Sequence, residues 1–334
     1  MQVRNNRIFG YDLIKTIAIF LIVFYHLGGL DYGTIIDGEY YLPNLNKFIS
    51  SLCSAGVPLF FMVNGALLIP KNLDLKQTLL RSLHLLFILV FWKFVLQFFI
   101  AYRIFSIKEE MVHFWFLCTL SMVYIISYFT SFDKRIRLLV LLFLVCYPFI
   151  SNFLLDLIIQ VSPQSKPTYW NHTGFFTLYA FLYFCLGDFL KDKTLPSFYS
   201  IVLTVFGILL INYEVTVLSN FHQAIYDGVN SSFPTIGALL LSVGIFMLLK
   251  GITCNRSLSR MTITFIGSNT MSIYLLHVLF IFILRYHTNI LASTLHPLCA
   301  ISFALAIVIT TSVLGHLISN SKLYFLIKLP TRLS

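Results

Sequence analysis

Three ionisable residues lie in an otherwise apolar stretch of the chain, residues 9–29. Asp12 and Lys15 are near one end of the stretch and His26 is near the other. If the stretch is a helix, the eleven positions between Lys15 and His26 make about three turns, so both side chains share a face with Asp12. The helical rise places Lys15 and His26 about 16 Å apart along the axis, roughly half the thickness of a bilayer core.

These residue types suit acyl transfer to a hydroxyl group. Histidine has a pKa near neutrality, so His26 could take the proton of a hydroxyl as that hydroxyl attacks a thioester. A phosphorylated acyl donor also needs a cation, which Lys15 or Arg81 could supply. Ionisable groups within a membrane span usually face the interior of the helix bundle and have a function there.

A structural alternative explains the same residues without chemistry. The stretch could be a signal anchor in which Asp12 and Lys15 pair in the headgroup region and His26 caps the far interface. A cleaved secretory signal is not expected, because Asp12 and Lys15 interrupt the apolar region and no small-residue cleavage site follows His26.

The composition excludes a soluble globular protein. Hydrophobic residues make up 58% of the 334 residues and charged residues 11%, with a mean hydropathy of +0.86. These values predict an all-α, polytopic protein of the lipid bilayer. The net charge of +10 lies in short loops, where it sets membrane orientation rather than binding nucleic acid. The six cysteines are scattered, so neither a metal site nor a disulfide framework is expected.

About ten membrane-spanning helices are predicted, in one membrane domain over residues 1–334. The apolar runs lie at about 9–29, 52–69, 79–102, 112–131, 137–161, 174–190, 197–218, 232–249, 263–284 and 297–318. With a cytoplasmic N-terminus, sixteen lysines and arginines fall on the cytoplasmic side and five on the other. The positive-inside rule therefore predicts that both termini are cytoplasmic, with Lys15 towards the cytoplasm and His26 towards the outside.

Further charged residues are candidates for substrate or donor contacts. Lys93 lies near the middle of the third predicted span, and we expect an acid from another helix beside it, with Asp156 or Glu214 as candidates. Both acids could instead reach the headgroups. Arg81 opens the third span from the inside, where it could meet a phosphate or simply anchor the helix.

Two predicted spans carry aromatic and histidine candidates. Tyr274 and His277 fall on one face of the ninth span, where His277 is either a site residue or a buried hydrogen-bond partner between helices. His113 and Trp115 lie at the outer edge of the fourth span, where tryptophan is common as an interface anchor. We keep all four as second-rank candidates for substrate binding. Nucleophile-elbow, Walker, dinucleotide-turn and HExxH motifs are missing from the sequence.

The sequence resembles the membrane acyltransferase 3 family along nearly its whole length. The first helix of that family carries an aspartate, a basic residue and, eleven positions later, a histidine, which here are Asp12, Lys15 and His26. The similarity continues in SAGVPLFFMVNGALLI at 54–69, LKQTLLRS at 75–82, HFWFLCTLSMVYII at 113–126 and SIYLLHVLF at 272–280.

The resemblance implies ten core helices and transfer of an acyl group, usually acetyl from acetyl-CoA, to a sugar. The predicted catalytic residues are then His26, Lys15 and Asp12. His26 acts as general base or as transient acyl carrier, Lys15 holds the polar groups of the donor or the developing charge of the thioester, and Asp12 orients Lys15. Lys15 and Arg81 are the residues expected to hold acetyl-CoA. Short members that acetylate O-antigen, common-antigen or related surface sugars look nearest, which implies a bacterial inner membrane and a lipopolysaccharide or lipid-linked acceptor.

The sequence departs from the family pattern at two positions. The basic residue of the first helix is most commonly arginine, and Lys15 lacks its planar, bidentate fork. Asn64 replaces the usual serine of the second helix. Longer members carry an appended esterase-like domain, for which residues 319–334 leave no room.

Two other classes of protein remain open at the level of sequence. One is a transporter or flippase of a lipid-linked glycan, with Lys15, Lys93 and Glu214 lining its path, although no internal repeat is visible. The other is a sensor or partner subunit that does not use acyl-CoA.

Overall fold

The structure is a computed structural model, and it describes residues 8–27, 34–36, 39–41, 44–71, 74–101, 114–130, 134–144, 149–161, 176–222, 235–287 and 297–327. The first helices are α1 (Phe9–His26), α2 (Asn44–Cys53), α3 (Gly56–Leu68), α4 (Leu75–Ala101), α5 (Trp115–Thr130), α6 (Lys134–Leu144) and α7 (Ser151–Val161). They are followed by α8 (Phe176–Leu190), α9 (Ser197–His222), α10 (Ile236–Leu249), α11 (Ser257–Ser268), α12 (Thr270–His287) and α13 (Pro297–Ser319). One small antiparallel hairpin, β1 (Thr34–Ile36) with β2 (Glu39–Tyr41), lies between α1 and α2. The predicted all-α class is confirmed.

Several helices are long and apolar enough to cross a membrane. In the described residues there are five, within Phe9–His26, Ser51–Lys71, Leu75–Phe98, Ser197–Val217 and Leu298–Ser319, and a sixth if the bent pair α11 and α12 is one span. Three shorter apolar helices accompany them. Large apolar side chains such as Phe94, Leu139 and Leu209 are exposed on the outside. A contiguous apolar exterior of this kind indicates a multi-pass membrane protein.

The ninth predicted span is not one straight helix. It is divided at Asn269 into α11 and α12, and the helix axis bends by 73° between them. Ser268 Oγ and Asn269 Nδ2 both donate hydrogen bonds to the carbonyl of Phe265, at 2.8 Å each. Short polar side chains that bond to the preceding turn compete with the helical hydrogen bonds, and this explains the break.

Helix α1 lies inside the bundle and contacts α3, α10, α11, α12 and α13. Two glycines allow other backbones to approach it closely. A Cβ on Gly267 of α11 would lie 2.9 Å from the Cβ of Asp12, and a Cβ on Gly10 would collide with the carbonyl of Lys250. The α11 half of the bent pair is therefore packed directly against the Asp12 end of α1.

Candidate active site

His26 is held in one orientation by the backbone of its own helix. Its Nδ1 lies 2.8 Å from the carbonyl oxygen of Ile22, one turn earlier in α1. A carbonyl oxygen only accepts hydrogen bonds, so Nδ1 carries the proton and donates it. In the neutral imidazole the lone pair is then on Nε2, which is the nitrogen that can act as a base or nucleophile.

His277 of α12 faces His26. The ring centroids are 5.3 Å apart with an interplanar angle of 61°, and His277 is completely buried. The Nδ1 of His277 donates to the carbonyl of Ile273 at 3.0 Å, so this ring has the same tautomer as His26. The structure thus brings together the first-rank and one of the second-rank histidines predicted from sequence.

Aromatic side chains lie next to the two histidines. Tyr274 lies one turn before His277, with ring centroids 6.0 Å apart, and it contacts Phe116 of α5 at 5.2 Å. Trp115 is half-buried beside Phe116. Sequence analysis named Tyr274 and Trp115 but missed Phe116, because nothing in an apolar helix distinguishes this phenylalanine from the other thirty-three.

The other end of α1 carries an ion pair. Lys15 Nζ lies 2.7 Å from Asp12 Oδ1, and the Asp12 side chain is 4% exposed against 18% for Lys15. Thr16 Oγ1 is 2.8 Å from the carbonyl of Asp12 and 3.2 Å from the carbonyl of Ile263 in α11. The pair is therefore fixed between its own helix turn and α11.

Arg81 of α4 has unused hydrogen-bonding capacity. Its Nε is buried and donates to none of the described residues. The guanidinium is close enough to interact electrostatically with the hydroxyl of Tyr124, which donates to Asn64 Oδ1 at 3.1 Å. Because arginine binds phosphate through paired N–H groups, Arg81 retains a donor suited to a phosphorylated ligand.

Glu214 has a structural partner rather than the lysine expected from sequence. Its two carboxylate oxygens accept hydrogen bonds from the backbone N–H groups of Ile236 and Gly237, at 2.8 and 2.9 Å. These are the first residues of α10, whose N-terminal N–H groups have no partner within the helix. Glu214 therefore satisfies the start of α10 and complements its dipole.

Lys93 is also not part of the cluster around His26. It is exposed on α4, eight residues before this helix ends at Ala101. It forms no ion pair with an acid in the described part of the chain. A lysine near the end of a span can extend its ammonium group to the interface, so it needs no buried acid. His113, another candidate, lies outside the described residues.

A search for groups of three or more His, Cys, Asp and Glu side chains that could hold a metal finds none among the described residues. The geometry defines a class of protein: a helical membrane protein in which a buried histidine faces a half-buried one at one end of α1, while an ion pair lies about three helical turns away. A family model described as an acyltransferase domain matches residues 8–316 of the 334. The chain belongs to the acyltransferase 3 family, as its motifs indicated. Comparison with curated proteins and with solved structures gives no significant match.

Proposed function

We propose that the protein is a bacterial inner-membrane O-acetyltransferase. It moves an acetyl group from cytoplasmic acetyl-CoA to a hydroxyl of a cell-surface polysaccharide or a lipid-linked sugar of the O-antigen or common-antigen type. The observation that carries the proposal is the orientation of His26, whose Nδ1–H is bound to Ile22 and whose Nε2 therefore holds a lone pair beside His277. Membership of an acyltransferase family supports the reaction class.

In the proposed reaction, His26 Nε2 accepts the proton of the sugar hydroxyl while the oxygen of that hydroxyl attacks the carbonyl carbon of the thioester. The carbon–sulfur bond breaks, and the proton then passes from His26 to the leaving thiolate. The products are an O-acetyl ester and free coenzyme A. A covalent route uses the same nitrogen, because Nε2 would take the acetyl group first and pass it to the sugar.

The phosphates of the donor are assigned to Lys15 and Arg81. Asp12 holds the Lys15 ammonium group at 2.7 Å, and Arg81 has a buried Nε without a partner in the described residues. Both residues belong to the side that the positive-inside rule assigns to the cytoplasm, in an arrangement of about ten spans with both termini inside. The acceptor sugar is assigned to the side of His26, Trp115 and Tyr274, where aromatic rings can pack on sugar faces.

The placement of Lys93 and Glu214 favours the enzyme over the transporter alternative. A transport path was expected to use Lys15, Lys93 and Glu214 together. Lys93 faces outward from α4, however, and both oxygens of Glu214 are bound at the start of α10. Two of the three charges that would line such a path are therefore accounted for elsewhere.

The test is acetyl transfer by the purified full-length protein, with acetyl-labelled acetyl-CoA and a crude surface glycan. We expect the wild type to label the glycan and His26→Ala to lose labelling while remaining folded. His316→Ala is the matched control, because His316 is exposed on α13 and should leave labelling unchanged. Labelling of the glycan by His26→Ala at the wild-type rate would refute the assignment.

The same assay separates the two chemical routes. Label that stays on the wild-type protein after denaturation, and is missing from His26→Ala, supports a covalent acetyl intermediate. Label found only in the glycan supports His26 as a general base.

A further inference from the structure

A cavity of about 300 Å³ lies between α6, the end of α8 and the short 3-10 turn that follows α3. Its lining combines charged side chains, among them Arg137, Asp188 and Lys191, with apolar ones such as Leu138 and Phe189. None of these residues contributes to the site around His26. The cavity is lined at its edge by the exposed residues Leu138, Phe189 and Lys193, so a ligand can enter from outside the protein.

Two cations in the cavity converge on a single acid. Arg137 Nη1 donates to Asp188 Oδ2 at 2.8 Å, and Lys191 Nζ donates to Asp188 Oδ1 at 2.6 Å. All three side chains are mostly buried, with exposures of 16 to 22%. With Lys193, the lining of the cavity carries three positive charges against the two carboxylates of Asp188 and Asp192, which leaves one excess positive charge. Such a group favours an additional anion.

One edge of the Arg137 guanidinium lacks a hydrogen-bond partner among the described residues. Its Nε is buried and has no hydrogen-bond partner among the described residues. The bond to Asp188 uses Nη1, on the other side of the guanidinium. The edge formed by Nε and Nη2 carries two parallel N–H groups, which is the geometry that binds two oxygens of a phosphate or carboxylate.

Lys250 fixes the segment that carries the lysines. At the end of α10, its Nζ donates to the backbone carbonyls of Leu190, Lys191 and Lys193. These bonds occupy carbonyls at the C-terminus of α8, which would otherwise present partial negative charge to an anion. Burial lowers the pKa of Lys250, and the carboxylate of Asp192 opposes that shift. Asp192 also lines the cavity.

The apolar surroundings indicate where the anion comes from. Leu138, Leu139 and Leu142 are exposed along α6 next to the cavity, as expected of a surface in contact with lipid chains. The cations therefore lie where an apolar exterior ends, at the level of lipid headgroups. Lys193 extends over the ring of Phe189, with its Nζ 5.5 Å from the ring centroid. It adds a third positive charge to the lining of the cavity.

We propose that this cavity is a phosphate site, in which the Nε edge of Arg137 binds two phosphate oxygens and Lys191 and Lys193 add charge. The anionic headgroup of a phospholipid is the source that the position of the cavity favours. A soluble phosphate ester has the same chemistry and is the second source. The site is separate from the proposed acetyl transfer, because none of its residues takes part in that reaction.

The test is thermal unfolding of the purified full-length protein in neutral detergent micelles. Three conditions are compared at equal ionic strength: added phosphatidylglycerol, added phosphatidylcholine and added inorganic phosphate. We expect phosphatidylglycerol to raise the Tm by about 2–4 °C and phosphatidylcholine to leave it unchanged. A rise with inorganic phosphate that equals the rise with phosphatidylglycerol assigns the site to a soluble phosphate ester instead.

Variants connect the response to the cavity. Arg137→Gln should weaken binding of phosphatidylglycerol about tenfold, because the charged hydrogen bonds are lost, while Lys191 still pairs with Asp188. Arg135→Gln is the matched control, since it removes the same charge from an exposed position half a turn earlier in α6 that does not line the cavity. Arg137→Lys keeps the charge without the paired N–H groups, and it serves if the glutamine variant does not fold.

The outcomes decide the proposal in either direction. A response that Arg135→Gln retains and both Arg137 variants lose or weaken supports the phosphate site. The proposal fails if neither phosphatidylglycerol nor phosphate changes the Tm. It fails equally if the Arg137 variants respond as Arg135→Gln does.

Discussion

The two ends of α1 bury polar side chains in different ways. At the Lys15 end, Asp12 and Lys15 form an ion pair within one helix turn, and Gly267 allows the backbone of α11 to cover Asp12. At the His26 end, two neutral rings face each other and both carry their protons on the Nδ1 bound to the backbone. In the proposed reaction, the ammonium group of Lys15 binds a phosphate of the donor, whereas the neutral imidazole of His26 takes up a proton. In that proposal one helix separates donor binding from acetyl transfer.

The largest effect that tests this division is expected at the Lys15 end. Lys15→Gln should raise the KM for acetyl-CoA by about 10- to 100-fold, because a charged hydrogen bond contributes about 1.5–3 kcal/mol to binding. The kcat should change little. Initial rates at varied acetyl-CoA measure both constants, and Lys93→Gln, at an exposed lysine, should behave as wild type. A fall in kcat at unchanged KM would instead place Lys15 in the transfer step.

A smaller effect is expected at the other end, beside His26. His277→Gln should lower kcat about tenfold, because His277 contacts His26 but does not itself transfer the proton. Loss of the acid or base itself would cost about 10²–10⁴-fold. The KM for acetyl-CoA should stay the same. Rates at saturating donor provide the measurement, and His316→Gln is the control. An unchanged kcat would leave His277 as a packing residue.

The smallest effect is expected at Glu214, which belongs to neither end of α1. Glu214→Gln replaces one oxygen that accepts from the N–H groups of α10 with an NH2 group that cannot accept, and should lower the free energy of unfolding by about 1–2 kcal/mol. The kcat/KM of the folded fraction should not change. Asp74→Asn is the matched control, because Asp74 Oδ1 accepts from the N–H of Gln77 at the start of α4 but is exposed.

Thermal unfolding should therefore show a smaller loss for Asp74→Asn than for Glu214→Gln. A loss of activity in Glu214→Gln without a change in Tm would return Glu214 to the substrate path.

The shared position of Asp12, Lys15 and His26 on one face of α1 was predictable from sequence, because it depends only on helical periodicity. Asp12, Lys15 and His26 lie on a helix from Phe9 to His26, and the predicted all-α class and family are confirmed. The ion pair at three residues' spacing follows from the same geometry. Features that depend on a single helix were thus within reach of the sequence.

Features that depend on how helices face one another were not. Helix α4 is apolar on all sides, so no periodicity shows that Lys93 is exposed while Trp92 beside it is buried. The partners of Glu214 are backbone N–H groups, which every residue carries and no sequence pattern reveals. The bend at Asn269 does have a local signal, the adjacent Ser268 and Asn269, but hydropathy alone treats them as part of one span.

The bend between α11 and α12 has a mechanical consequence for α1. Gly267, two residues before Asn269, contacts Asp12, whereas His277, eight residues after it, contacts His26. Helices α11 and α12 therefore contact α1 at two separate points, near Asp12 and near His26. Because only Asn269 joins α11 to α12, a change in the angle between these helices alters the distance between Gly267 and His277. His277 then moves relative to His26, and Gly267 relative to Asp12, without any change in α1 itself.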